Sequence, residues 1–210
     1  MGPKTPRRHQ QGEESRQRIL DAVIQIAAER GYEGTTVSLV SERSGLPVSS
    51  IYWHFGNKDD LIAAVIQRSF DEWEAGLDES VQLTPTMTHR EMVAAVLRHE
   101  AGSLIDHPDF LRFGLMLALE SRADEPRARR IFLTVRQRSL ERIERGFTMF
   151  LALHGLDDET FVRRAAVLTM ASVDGLFIAR QADPEVNLDE HFELLAASIE
   201  LLFNDRTSDQ

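Results

Sequence analysis

The sequence contains no cysteine, which excludes disulfides, thiolate metal centres and cysteine nucleophiles together. It also lacks any apolar run approaching the ~18 residues that a membrane span requires, the longest stretches being 61–66 and 113–119. The first eleven residues hold no apolar segment of the kind that directs secretion, so a cytoplasmic protein away from the membrane is expected. No glycine-rich nucleotide loop is present, the seven histidines are scattered, and no carboxylate pair stands out among thirty-four. The expectation is a protein that is not an enzyme and carries no cofactor. His99, Glu100 and His107 are too few and too far apart for a metal centre. Strand-like alternation is missing everywhere, as are repeats and low-complexity tracts, and this predicts an all-α chain.

Positive charge is scarce overall, with a formal net charge of -10, which on its face argues against a polyanionic ligand. The deficit is unevenly spread. Residues 1–58 hold eight Lys/Arg against six Asp/Glu, net +2, leaving sixteen against twenty-eight, net -12, for 59–210. Five of the basic residues, Lys4, Arg7, Arg8, Arg16 and Arg18, precede Leu20 and suit either an arm over phosphates or a solvated tail.

What is present is organised around residues 34–58. Thr36 can cap a short helix with Val37, Val40 and Ser41 at helical spacing, and Gly45 supplies the positive φ of a tight turn. Pro47 suits the start of the next helix, in which Val48, Ile51 and Phe55 share an inward face. Ser49, Ser50, Tyr52, Trp53 and His54 are left outside, and adjacent exposed aromatics mark interaction sites more often than idle surface. The pattern is a helix-turn-helix. Before it, Ile19, Val23, Ile26 and Ala27 predict a helix over 15–30 ended by Gly31, and residues 1–12 look disordered. After it, Gly56 ends the second short helix and Asn57 with Asp60 caps a fourth.

Through Thr36, Gly45, the run Ile51-Tyr52-Trp53-His54-Phe55, Gly56 and Lys58-Asp59-Asp60-Leu61, the chain resembles the TetR/AcrR family of transcriptional regulators over about residues 15–65. It departs from the family's frequent Ser-Lys at Pro47 and Val48, losing one phosphate contact, and it has Ser49 where Gly or Ala is common. The resemblance implies a disordered arm (1–12), a three-helix DNA-binding domain (13–58) and a helical effector-binding and dimerisation domain (59–210). It implies a repressor released from an inverted-repeat operator in double-stranded DNA by a small hydrophobic or amphipathic effector. Donor chemistry then suggests that Thr36, Ser49, Tyr52, His54 and Lys58 hold phosphates, while Ser50 and Trp53 read base edges. Val48 and the weak basicity would also suit a helical protein whose head no longer reads DNA, against which stands the intact stretch from Tyr52 to Lys58.

The rest of the chain reads as further helices, nine in all. The fourth carries Leu61, Ile62, Val65, Ile66, Ser69, Phe70 and Trp73, and runs on past the head as a candidate lever. Pattern breaks fall at 82–86, 106–108 and 124–126, Thr88 with Glu91 forms a capping box, and a helix with a basic outer side follows from Arg127 to about Leu153, ended by Gly155. Asp157 and Asn187 are the expected caps of the last two helices. The effector pocket implied by the resemblance is expected among Phe70, Trp73, Phe110, Phe113, Met116, Phe147, Phe150 and Phe177, although a simple core is the plainer use of each. The last helix is apolar on two faces, the second including Leu194, Ala197 and Leu201, which predicts a homodimer. Phe161, Ala165, Leu168, Ser172, Phe192, Leu195, Ile199 and Leu202 are its expected interface.

Overall fold

Pro6 opens the first helix, where its fixed φ fits the first turn and its missing N–H costs nothing. In the computed structural model, which describes residues 6–77, 87–106, 109–119, 126–153 and 155–208, nine helices and no strand are formed by the described residues. They are α1 (Pro6–Gly34), α2 (Val37–Ser44), α3 (Val48–Phe55), α4 (Lys58–Gly76), α5 (His89–Asp106), α6 (Asp109–Leu119), α7 (Arg127–Leu153), α8 (Glu159–Ala182) and α9 (Leu188–Ser208). Residues 6–12, for which composition predicts no order, are helical, with Gln10 donating to Glu14 and Gln17 to Glu13 one turn apart. The backbone of α1 breaks at Gly31, with φ 70° and ψ -178°. The breaks expected at 82–86, 107–108 and 124–125 lie outside the described residues.

Packing gathers the chain into two compact units, Met1–Glu72 with Pro108–Val135, and Trp73–His107 with Arg136–Gln210. In the first, the helix-turn-helix shares its packing with α6 and with parts of α4 and α7. Its core is built from Ile19, Leu20, Val23 and Ile26 of α1, Val40, Ile51 and Phe55 of the motif, and Leu61, Ile62, Val65, Ile66 and Phe70 of α4. Each of the fully buried large side chains is worth roughly 1.5–3 kcal/mol against exposure. α6 is seated on α4 by the Phe110 amide, which donates to Ser69 Oγ at 3.1 Å, and by an edge-on contact of the Phe70 and Phe110 rings with centroids 5.5 Å apart.

In the second unit α5 and α8 pack on α9. The capping box at the start of α5 is reciprocal: Thr88 N donates to Glu91 Oε2 at 2.7 Å and Glu91 N to Thr88 Oγ1 at 3.2 Å. Asp158, not Asp157, caps α8, accepting from Phe161 N at 2.9 Å. Arg98 Nη1 lies 2.5 Å from Glu193 Oε1 and joins α5 to α9.

The expected dimer residues are corrected by this core. Phe161, Ala165, Phe192, Leu195 and Ile199 are buried in the second unit against Ala94, Leu97 and Leu151 of the same chain, so they are not available to a partner. α8 and α9 are apolar on two sides, and helical spacing leaves undecided which side turns inward. The outward side carries Val167, Leu168 and Ile178 on α8, and Leu194, Leu201 and Leu202 on α9, with Leu194 58% and Leu201 64% exposed. Ser172 is half-buried.

The eight residues expected around an effector do not share one unit. Phe70, Phe110, Phe113 and Met116 belong to the first, and Trp73, Phe147, Phe150 and Phe177 to the second. Among them Phe70, Phe110, Phe113, Trp73, Phe147 and Phe177 are buried, Phe150 is half-buried and Met116 is exposed. A surface cleft of about 950 Å³ in the second unit runs along Glu144, Thr148, Leu151, Leu156, Asp157 and Arg163, and none of the eight lines it.

Candidate nucleic-acid interface

The motif is made rigid by its turns. Thr35 Oγ1 donates to the Gly31 carbonyl at 2.9 Å, and Thr36 caps α2 by accepting from Leu39 N at 3.3 Å. α2 ends at Gly45, whose φ of 66° is the left-handed conformation that the reversal needs. Side chains then satisfy the carbonyls exposed there: Arg18 Nη2 donates to Ser44 O at 2.5 Å and Ser41 Oγ to Leu46 O at 2.7 Å. Pro47 precedes α3 with extended backbone, and its carbonyl accepts from Ser50 N at 2.9 Å.

α3 buries Ile51 and Phe55 and turns Tyr52 and Trp53 outward, 49% and 71% exposed. Ser49 is exposed, while Ser50 and His54 are half-buried. Trp53 meets the His54 ring edge-on, with centroids 4.7 Å apart. Val48, expected to point into the core, is exposed. It is the first residue of α3, and Cα–Cβ bonds tilt toward a helix N-terminus, so its side chain projects past the end of the helix. Gly56 closes α3 with φ 74°, and Asn57 then starts α4. Asp60 N donates to Asn57 Oδ1 and Asn57 Nδ2 to Asp60 Oδ2, both at 2.8 Å. This sets Lys58 in the first turn of α4, half-buried beside the recognition helix. Thr36, on the other side of the turn, is exposed.

Several basic residues of the head are engaged inside it. Arg18 holds the end of α2, and the Arg16 guanidinium lies 5.5 Å from the Phe55 ring centroid and 3.9 Å from Glu13. Arg43 makes a two-pronged pair with Glu29, at 2.9 Å for each oxygen. The internal roles of Arg16 and Arg18 had no signal in the sequence, where they read as part of a basic arm or tail. Burial, and then repulsion from Arg16, hold the His54 imidazole below its usual pKa of 6.5, with Glu13 opposing. The recognition helix itself contains no Lys or Arg, so it presents hydroxyls and aromatic rings to whatever docks on it.

Comparison with known proteins matches this part of the chain. Residues 19–65 fit the family model of bacterial regulatory proteins, tetR family. The HTH-type transcriptional repressor KstR of Mycolicibacterium smegmatis is 36% identical over 67 residues, a match that spans 32% of this chain and 33% of that repressor. The HTH-type transcriptional regulator AcrR of Shigella flexneri is 25% identical over 187 residues, covering 80% of this chain and 78% of that one. The overall fold is similar to the crystal structure of a transcriptional regulator from Rhodococcus sp. Rha1, with a TM-score of 0.67 at 23% identity over 91% of this chain and 97% of that one. The helix-turn-helix with its outward Tyr52 and Trp53, the family model and these relatives agree on the same stretch, and residues 19–65 of the chain form a helix-turn-helix of the tetR family of bacterial regulatory proteins.

Proposed function

We propose that the chain is a sequence-specific transcriptional repressor that binds double-stranded DNA as a homodimer and is released by a small hydrophobic or amphipathic effector. The observation that carries this reading is the outward side of α3. It places an exposed Tyr and Trp after two serine hydroxyls on a helix bounded by turns at both ends. Thr36, Ser49, Tyr52, His54 and Lys58 hold phosphates, and Ser50 and Trp53 reach base edges, where an indole packs against a thymine methyl. KstR, which is named a repressor, supports the direction of control.

Dimerisation uses the outward stripe of α8 and α9, with Leu168 and Leu202 central and Leu194, Leu201, Val167 and Ile178 around them. A contiguous apolar face of this kind is costly to leave in water. Two-fold symmetry brings two α3 helices to successive major grooves roughly 34–36 Å apart, or a longer multiple, and so demands an inverted-repeat operator. Effector binding lowers operator affinity by about 5- to 150-fold, and operator lowers effector affinity by the same factor.

The test is a mobility shift with duplexes from around the chain's own gene, followed by footprinting. A protected inverted repeat is the expected result. Retention of no fragment at low salt would make this a helical binding protein whose head does not read DNA.

A further inference from the structure

Asp59 lies in the first turn of α4, just after the turn that ends the recognition helix. Its carboxylate accepts two backbone hydrogen bonds from a segment far along the chain: Arg127 N to Oδ2 at 2.7 Å and Ala128 N to Oδ1 at 3.1 Å. These amides open α7, and first-turn amides have no partner within their own helix. Pro126, just before α7, has no side-chain acceptor to offer, so the cap is lent by α4. The neighbouring Arg127 Nη1 reaches Asp60 Oδ1 at 2.6 Å, while Oδ2 of the same carboxylate accepts from Asn57 Nδ2. The turn between α3 and α4 and the start of α7 are therefore joined by three hydrogen bonds through two carboxylates, and the Asn57–Asp60 pair fixes one of those carboxylates locally. The second attachment to α4 is independent, the Phe110 amide on Ser69 Oγ at the start of α6.

We propose that Asp59 is a positioning residue that makes the order of the first turn of α7 conditional on the placement of the recognition helix, so that each reports on the other. A local cap would stabilise α7 alone. A cap donated from the α3–α4 junction does more, because loosening either end breaks bonds at both. The coupling is assigned to this chain's own residues. Its use in regulation rests on the DNA-binding reading above, and the residue is not itself a DNA contact.

Hydrogen exchange of the full chain tests it, comparing wild type with Asp59→Ala, Asp59→Asn and, as a control, Asp158→Ala, which removes the ordinary cap of α8. With no DNA present, Asp59→Ala should speed exchange about 5-fold at amides 127–131 and also across 51–61, since a lost cap has effects of that order. Asp59→Asn, which keeps one acceptor oxygen and much of the fold, should lie between the two. Asp158→Ala should loosen only the start of α8. Faster exchange confined to 127–131 in both Asp59 variants would overturn the proposal and leave Asp59 as a local cap. Saturating wild type with a duplex that it selects from a random pool should slow exchange at 127–131, and Asp59→Ala should bind but lose that slowing. An identical response in the variant also overturns the coupling. If wild type selects no duplex, the DNA-binding reading falls while the DNA-free comparison still decides the role of Asp59.

Discussion

The ring of Phe132 rests on the bare backbone of Gly114: a Cβ placed on that glycine would lie 1.9 Å from Cδ2 and 2.0 Å from Cε2 of the ring. Both residues are buried, so neither has a solvent side to move into. In an ordinary helix interior, Gly→Ala gains about 0.5–1 kcal/mol. Here the sign should reverse, with overpacking costing about 1–3 kcal/mol. Gly114→Ala should therefore melt below wild type, and adding Phe132→Leu should recover part of the loss. A melting temperature at or above wild type would show that the ring moves aside freely.

Arg43 is held by Glu29 in the free protein, and the proposed DNA complex makes it a candidate phosphate contact. The pair is exposed and contributes little to the fold, and the hydrogen bond from Arg43 holds the Glu29 carboxyl below its usual pKa. Glu29→Ala leaves the guanidinium without that partner and raises the charge of the head by one. If Arg43 then reaches a phosphate, the slope of log K against log salt should steepen by about 0.9. Anisotropy titrations of a labelled duplex across ~50–200 mM salt measure it, and an unchanged slope places Arg43 out of phosphate reach.

Lys58 provides the opposite case. Lys58→Ala should weaken all duplexes alike and flatten the salt slope by about one, whereas Trp53→Ala should relax sequence preference. Selection from a random pool with each variant distinguishes these roles. A changed preferred sequence for Lys58→Ala would reverse the assignment.

His54 should make the fold sensitive to mild acid. Its folded pKa lies below the unfolded value of about 6.5, so the unfolded state takes up the proton first as pH falls. The group therefore subtracts stability below about pH 6.5 until the folded form protonates as well, and stability recovers as pH rises through that window. Wild type should lose more melting temperature than His54→Gln between about pH 7 and pH 5. Parallel curves would mean that the imidazole titrates normally in the fold.

The two apolar sides of α9 predict different failures. Leu201→Glu and Leu194→Glu alter an exposed face and should yield folded monomers, seen by light scattering at micromolar concentration. Ile199→Glu puts a charge into the core of the same unit and should unfold it. A dimer that persists in Leu201→Glu would move the interface elsewhere.

Local chemistry was largely legible in the residues. Thr36, Asn57 and the Thr88–Glu91 box cap the helices that their spacing announces, and the reversal at Gly45 takes the positive φ expected of it. These features span four residues or fewer, so their physics is complete within the segment. Ile51 and Phe55 turn inward and Tyr52 and Trp53 outward for the same reason, since one helix with one apolar side leaves no choice of face. On α8 and α9 both sides are apolar, and which of them became core depended on α5 and α7 meeting Phe161, Phe192 and Ile199. The Asp59 cap on α7 joins residues 68 apart, and Arg18 reaches across 26 to Ser44. A carboxylate or guanidinium carries no mark of its distant partner. Periodicity and capping thus wrote the helices and the reading head into the chain, while the choice between equivalent faces and the pairing of remote charges required the elements to be brought together in space.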